Sequence, residues 1–106
     1  MEKKNFPYDL SGKTLIYQMP QELDHHVAQQ LCYELDRLVE TYAVMELVLD
    51  FAQTEFMDSS GIGVIIGRSK TMRFREGKLY AANLGERVST IFHAAGLDKI
   101  VAIKED

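Results

Sequence analysis

Asp58-Ser59-Ser60-Gly61-Ile62-Gly63 gathers a carboxylate, two hydroxyls and two glycines in one short stretch. It follows an apolar run, Leu47 to Phe51, that reads as a strand. It precedes Ile62 to about Arg75, which reads as a helix. A strand handing over to a helix exposes backbone N–H groups and favours anions. Such a corner could act on a phosphate, receive one, or simply cap the helix. A nucleophilic serine would need a G-x-S-x-G elbow and a paired histidine, and neither is evident. Gly61-x-Gly63 lacks both a Walker lysine and the rest of a dinucleotide fingerprint. Aspartate and serine are common at helix N-termini, and by residue type alone the two hydroxyls are equivalent.

Other reactive side chains form no constellation. His25 and His26 are adjacent, so on a helix they diverge by about 100° and cannot share a metal as an i, i+4 pair can. No nearby cysteine completes a zinc set. Cys32 falls within an amphipathic pattern, where a lone thiol behaves as a small apolar residue; nothing places His93 beside it. Asp50 ends a central strand, where a response-regulator receiver keeps its phosphoacceptor. The first strand, however, ends in Met19-Pro20 with no acidic pair for a metal. A loop-bonding aspartate is the simpler reading.

The elements that must position these residues follow from the pattern. A chain of 106 residues points to one domain, 1–106. Apolar residues make up 46% and charged residues 26%, the balance of a globular protein. The net charge of −4 argues against a nucleic-acid surface. No apolar run reaches membrane-span length, the first residues lack a signal-peptide core, and one cysteine excludes an internal disulfide. A cytoplasmic location is expected. Phe6 to Leu10 and Thr14 to Met19 flank the turn Ser11-Gly12-Lys13 and predict a hairpin. Asp24 is a natural N-cap for a helix with Val27, Leu31, Leu35, Leu38 and Tyr42 on its apolar stripe. The next helix carries Ile62, Ile65, Ile66, Ser69 and Met72 inward, with Arg68, Lys70, Arg73 and Arg75 solvated, and Gly67 allowing close packing. Gly77 is expected to close it in a left-handed cap. Strand Lys78–Ala82, a helix with Val88, Ile91, Phe92 and Ala95, a Gly96 cap and strand Ile100–Ile103 complete the chain. From Thr14 the order is β-α-β-α-β-α-β, which predicts parallel strands with right-handed crossovers. The hairpin makes the sheet mixed.

Phe56-Met57-Asp58-Ser59-Ser60-Gly61-Ile62-Gly63-Val64-Ile65-Ile66-Gly67-Arg68 resembles the signature of STAS domains, the sulfate-transporter and anti-sigma-factor-antagonist family. Glu22-Leu23-Asp24-His25-His26 resembles a second family segment, and the two together are most similar to the sporulation branch of the antagonists. The resemblance runs from the second strand to Gly96–Ile100. It implies an α/β STAS fold: a mixed central sheet of four to five strands with helices packed against it. It implies a non-enzyme without cofactors, whose unphosphorylated form binds an anti-sigma factor that is also a serine kinase and so releases the sigma factor. The kinase would phosphorylate the first serine after the aspartate, Ser59, and a serine phosphatase would reset it. Glu22, Asp24, His25, Met57, Asp58, Ser59, Ser60 and Gly61 would form the partner surface, with no direct nucleic-acid or membrane contact. Two departures stand out. Gln21 occupies a position commonly held by glycine, and a C-terminal helix is missing or very short. Rival readings are a STAS-like scaffold for another kinase, a subunit of a membrane transport complex, and a small receiver using Asp50 and Asp58.

Overall fold

The computed structural model describes residues 7–104. Strands β1 (Tyr8–Ser11) and β2 (Thr14–Gln18) form the expected hairpin around Gly12, whose φ of +62° suits glycine. Phe6, expected to open β1, lies outside the described residues. Then come β3 (Glu22–Leu23), α1 (His25–Thr41), β4 (Glu46–Asp50), β5 (Phe56–Met57), α2 (Ser59–Phe74), β6 (Lys78–Ala82), α3 (Glu86–Ala94), a 3-10 turn (Leu97–Lys99) and β7 (Ala102–Lys104).

The main sheet has the order β1-β2-β4-β6-β7. β1 is antiparallel to β2, and the remaining neighbours are parallel, as crossover helices require. The sheet is therefore mixed, and the fold is the α/β arrangement expected. Alternation along the strands sends Leu15, Tyr17, Leu47, Leu49, Leu79 and Ala81 into one core. There they meet Leu31, Leu35, Leu38 and Val39 of α1, Val64, Ile65 and Met72 of α2, and Val88 and Phe92 of α3.

Several expectations need correction. Tyr42 is not on the buried stripe of α1: it is the C-cap and is exposed. The second helix starts at Ser59, not Ile62, because Asp58 caps it. Its buried side is Gly61, Val64, Ile65, Arg68, Ser69 and Met72, while Ile66 is exposed. The cause is Gly61. A Cβ there would sit 2.6 Å from the Leu23 carbonyl oxygen, so this edge of the first turn can press on β3 only as bare backbone. The residues 3, 4, 7 and 8 positions on then follow it inward. Arg68, expected to be solvated, is carried inside with them, 8% exposed, and its Nε lies 3.1 Å from Asp36 Oδ1 on α1.

Gly67, expected to permit close packing, has open space where its Cβ would be. The left-handed residue after α2 is Glu76, with φ +62°, and not Gly77. Gly77 is needed for room, since a Cβ would stand 2.6 Å from the Met45 carbonyl oxygen. Gly96 does take the left-handed cap, with φ +75°. The last strand begins at Ala102 because Leu97–Lys99 turns first. Among the described residues, no helix is long and apolar enough to cross a membrane.

Candidate phosphoacceptor and partner surface

β3 and β5 are two-residue strands paired in parallel, Glu22 to Phe56 and Leu23 to Met57. Neither was expected as a strand. Their signal is one inward apolar residue each: Leu23 is fully buried and Met57 is 3% exposed, while Glu22 and Phe56 face outward. The segments before them are also tied together. The Gln21 carbonyl accepts from the N–H groups of Glu55 (2.8 Å) and Phe56 (3.2 Å). The buried Thr54 hydroxyl donates to the Pro20 carbonyl at 2.8 Å, and Gln53 Nε2 donates to Met19 at 3.0 Å. Gln21 enters through its main chain and is not among the residues with positive φ, so this loop makes no demand for glycine there.

Because β3 and β5 are in register, α1 and α2 begin side by side. Asp24 Oδ1 accepts from His26 N–H at 3.0 Å. Asp58 Oδ1 accepts from the N–H groups of Ser60 (2.8 Å) and Gly61 (3.2 Å). Each carboxylate thus satisfies donors that the helix itself cannot. Asp24 also lies 3.6 Å from His26 Nδ1. Its carboxyl is partly desolvated, which opposes ionisation, but the His26 N–H, the His26 side chain and the charges of His26 and His25 together hold it below its ordinary range. The two imidazole rings lie 4.0 Å apart, centre to centre, so they do not diverge as expected for neighbouring helix positions.

The two serines are not equivalent in this setting. Ser59 is the first residue of α2 and is exposed, whereas Ser60 is half-buried and its N–H donates to the capping Asp58. A phosphate on Ser59 would sit at the positive end of the α2 dipole and could remain in water. Of the residues expected to meet a partner, Glu22, His25 and Ser59 are exposed, and Asp24, Asp58 and Ser60 are half-buried. Met57 and Gly61 are buried, so they act from beneath, seating α2 against β3. Phe56, which the sequence reading left out of the site, is 44% exposed beside Glu22. Its signal was the alternation that turns Met57 inward.

The remaining candidates are occupied elsewhere. Asp50 accepts from Ala52 N–H and Asn83 Nδ2, both at 2.9 Å, as a loop-bonding residue does. Cys32 lies half-buried on α1, and His93 on α3 holds its Nδ1 2.9 Å from the Ser89 carbonyl of its own helix. Among the described residues, no three His, Cys, Asp or Glu converge to hold a metal.

The profile of the STAS domain family matches residues 6–106. The chain is 32% identical over 92 residues to an anti-sigma F factor antagonist of Paenibacillus polymyxa, covering 87% of this chain and 79% of that one. It is 34% identical over 82 residues to the anti-sigma-B factor antagonist of Bacillus subtilis, covering 77% and 73%. Its fold superposes on that of the anti-sigma factor antagonist SpoIIAA in its unphosphorylated form with a TM-score of 0.82, at 25% identity, covering 96% of this chain and 90% of that one.

Proposed function

The chain belongs to the STAS-domain family, among its anti-sigma factor antagonists, and from that membership we propose that Ser59 is the residue through which phosphorylation controls it. The unphosphorylated form binds an anti-sigma factor that is also an ATP-using serine kinase, and the sigma factor is released. Phosphate transfer to Ser59 ends the binding, and a serine phosphatase restores it. The domain is ligand and substrate, not catalyst, and works in the cytoplasm.

The observation that carries this reading is the contrast between an exposed Ser59 and a half-buried Ser60 at one capped helix start. Charge explains how the switch would work without refolding. From Thr14 to Gly67 the only lysine or arginine is Arg37, while Glu22, Asp24, Glu55 and Asp58 surround the two helix starts. A phosphate adds about −1.5 to −2 charge to this acidic face. A partner packed on a bare hydroxyl would then meet a dianion that must be desolvated. The fold itself tolerates the group, because the helix dipole favours negative charge at that end.

The test is incubation with the cognate anti-sigma factor and ATP, with mass spectrometry to locate the modified residue and binding measured before and after. Modification at Ser59, loss of modification in Ser59→Ala and its retention in Ser60→Ala are expected. Phosphate found elsewhere, or unchanged binding after full modification, refutes the assignment.

A further inference from the structure

We propose that the cleft between α1 and the end of β2 is a binding site for a guanidinium group, carried either by a small molecule or by an arginine of a protein. The cleft has a volume of about 350 Å³ and opens beside the first turn of α1. His26, Gln30 and Glu34 enter it from one stripe of that helix, at four-residue spacing; Tyr17 and Gln18 enter from β2, and Gln53 from the loop after β4. Val27 and Leu31 contribute apolar surface between them.

The polar lining is that of a cation site. Glu34 is its one carboxylate, and among the described residues no lysine or arginine lines the cleft. Arg37, one turn further along α1, makes no ion pair with Glu34; the described ion pairs are Asp24–His26 and Asp36–Arg68. The neighbour it has in the cleft is instead a neutral donor, Tyr17. Tyr17, only 4% exposed, lines the cleft with it, and burial, with Glu34 beside it, pushes the phenol far above its ordinary pKa. A tyrosine hydroxyl does not neutralise a carboxylate, so the charge remains available in a half-enclosed space. Gln53 is also pre-set. Its amide nitrogen donates to the Met19 carbonyl at 3.0 Å, which leaves its oxygen free to accept.

Glu34, the Gln53 oxygen and the Gln18 and Gln30 amides offer acceptors spread around the cleft, with apolar walls between them. A guanidinium is planar, weakly hydrated and carries five donors in a fixed fork, and it matches such a lining better than a compact ammonium does. The volume lies at the lower end of small-ligand sites.

The experiment is a titration of the unmodified full chain with ethylguanidinium chloride, followed by backbone amide shifts, with ethylammonium chloride as control. It is independent of Ser59 and of any kinase. Saturable shifts at Tyr17, Gln18, Gln30 and Glu34 are expected, with affinity falling about tenfold or more in a folded Glu34→Gln variant. Absence of saturable shifts, equal affinity in Glu34→Gln, or equal binding of ethylammonium overturns the proposal. Tyr17→Phe, which removes the neighbouring hydroxyl but keeps the carboxylate, should weaken binding less than Glu34→Gln; the reverse order also overturns it. A second arm identifies the source. If Glu34→Gln weakens binding to the anti-sigma factor about tenfold, the guanidinium is the partner's arginine; if that binding is unchanged while the ethylguanidinium affinity falls, the ligand is a free small molecule.

Discussion

Asp24 and Asp58 stand at equivalent points of a paired frame: each directly follows one member of the Leu23–Met57 pair and caps the helix that starts there. Two helix starts are thereby held in parallel, and the chemistry of the site depends on which residue comes next, His25 in one case and Ser59 in the other. The caps are unequal. Asp58 satisfies two N–H groups and Asp24 one. Asp58→Ala should therefore cost about 1–2 kcal/mol. In a domain of this size that lowers the melting temperature by several degrees, about 4–8 °C per kcal/mol. Asp24→Ala should cost less, and Asp58→Asn should keep most of the cap. Thermal melts of the three variants check the order.

Gly61 and Gly63 should respond in opposite ways to alanine. At Gly61 the added Cβ meets the Leu23 carbonyl oxygen and Met57 Cγ at 2.6 Å, and a main-chain carbonyl cannot turn aside. Gly61→Ala should destabilise by about 1–3 kcal/mol. At Gly63 nothing lies within 4 Å, so the change removes the conformational cost of glycine in a helix and should stabilise by about 0.5–1 kcal/mol. Urea unfolding of both variants decides this; destabilisation by Gly63→Ala would show that contacts not seen here use the bare backbone.

How far these features were legible differs by element. The mixed sheet, the hairpin and the three helices follow from periods of two and 3.6, and those periods are strong in Thr14–Met19 and in Val27–Leu38. Asp24 and Asp58 were readable as caps because capping is local. What local pattern could not carry was rotation of α2. Its apolar residues run nearly all the way round, from Ile62 to Ile66, so the stripe had no clear direction. The direction is set by the approach of Gly61 to Leu23, a contact between residues far apart in the chain. Arg68 was misplaced for the same reason. β3 and β5 are too short to show a period at all, and each exists through its partner.

The Asp36–Arg68 contact supplies a test of that buried arrangement. Arg68 is 9% exposed in its side chain, while Asp36 is 47% exposed. Losing the arginine leaves a carboxylate that water can reach; losing the aspartate leaves a guanidinium inside without the ion-pair partner it has among the described residues. Asp36→Ala should therefore destabilise more than Arg68→Met, by about 1–2 kcal/mol after allowing for the exposure of the pair. Chemical denaturation at low and high salt measures both, and a reversed order would mean that the arginine acts mainly through its packing.

Charge at Ser59 should separate folding from binding. Ser59→Asp places a carboxylate at the first position of α2, where the helix dipole contributes about 0.3–1 kcal/mol in its favour at low ionic strength. The variant should melt at or slightly above the wild-type temperature and still bind the anti-sigma factor more weakly. If the binding loss came with a lower melting temperature, the switch would act through the fold and not through the surface.

Acid stability should report on Asp24. The His26 N–H, the His26 side chain and the two imidazolium charges overcome partial desolvation and keep its carboxyl below the ordinary value of 3.8. A carboxyl with a depressed pKa in the folded state binds its proton more readily in the unfolded chain. Its contribution is therefore complete above the unfolded pKa and disappears as pH falls through the folded one. Asp24→Asn keeps a capping oxygen but removes the charge. The stability difference between wild type and Asp24→Asn should be fully present above the unfolded carboxyl value and should shrink below about pH 4. Melting curves of both proteins from pH 7 to pH 2 measure it. A difference that stays level through the acid range would mean that the cap works through its hydrogen bond alone, and that the paired imidazoles do not stabilise the Asp24 carboxylate.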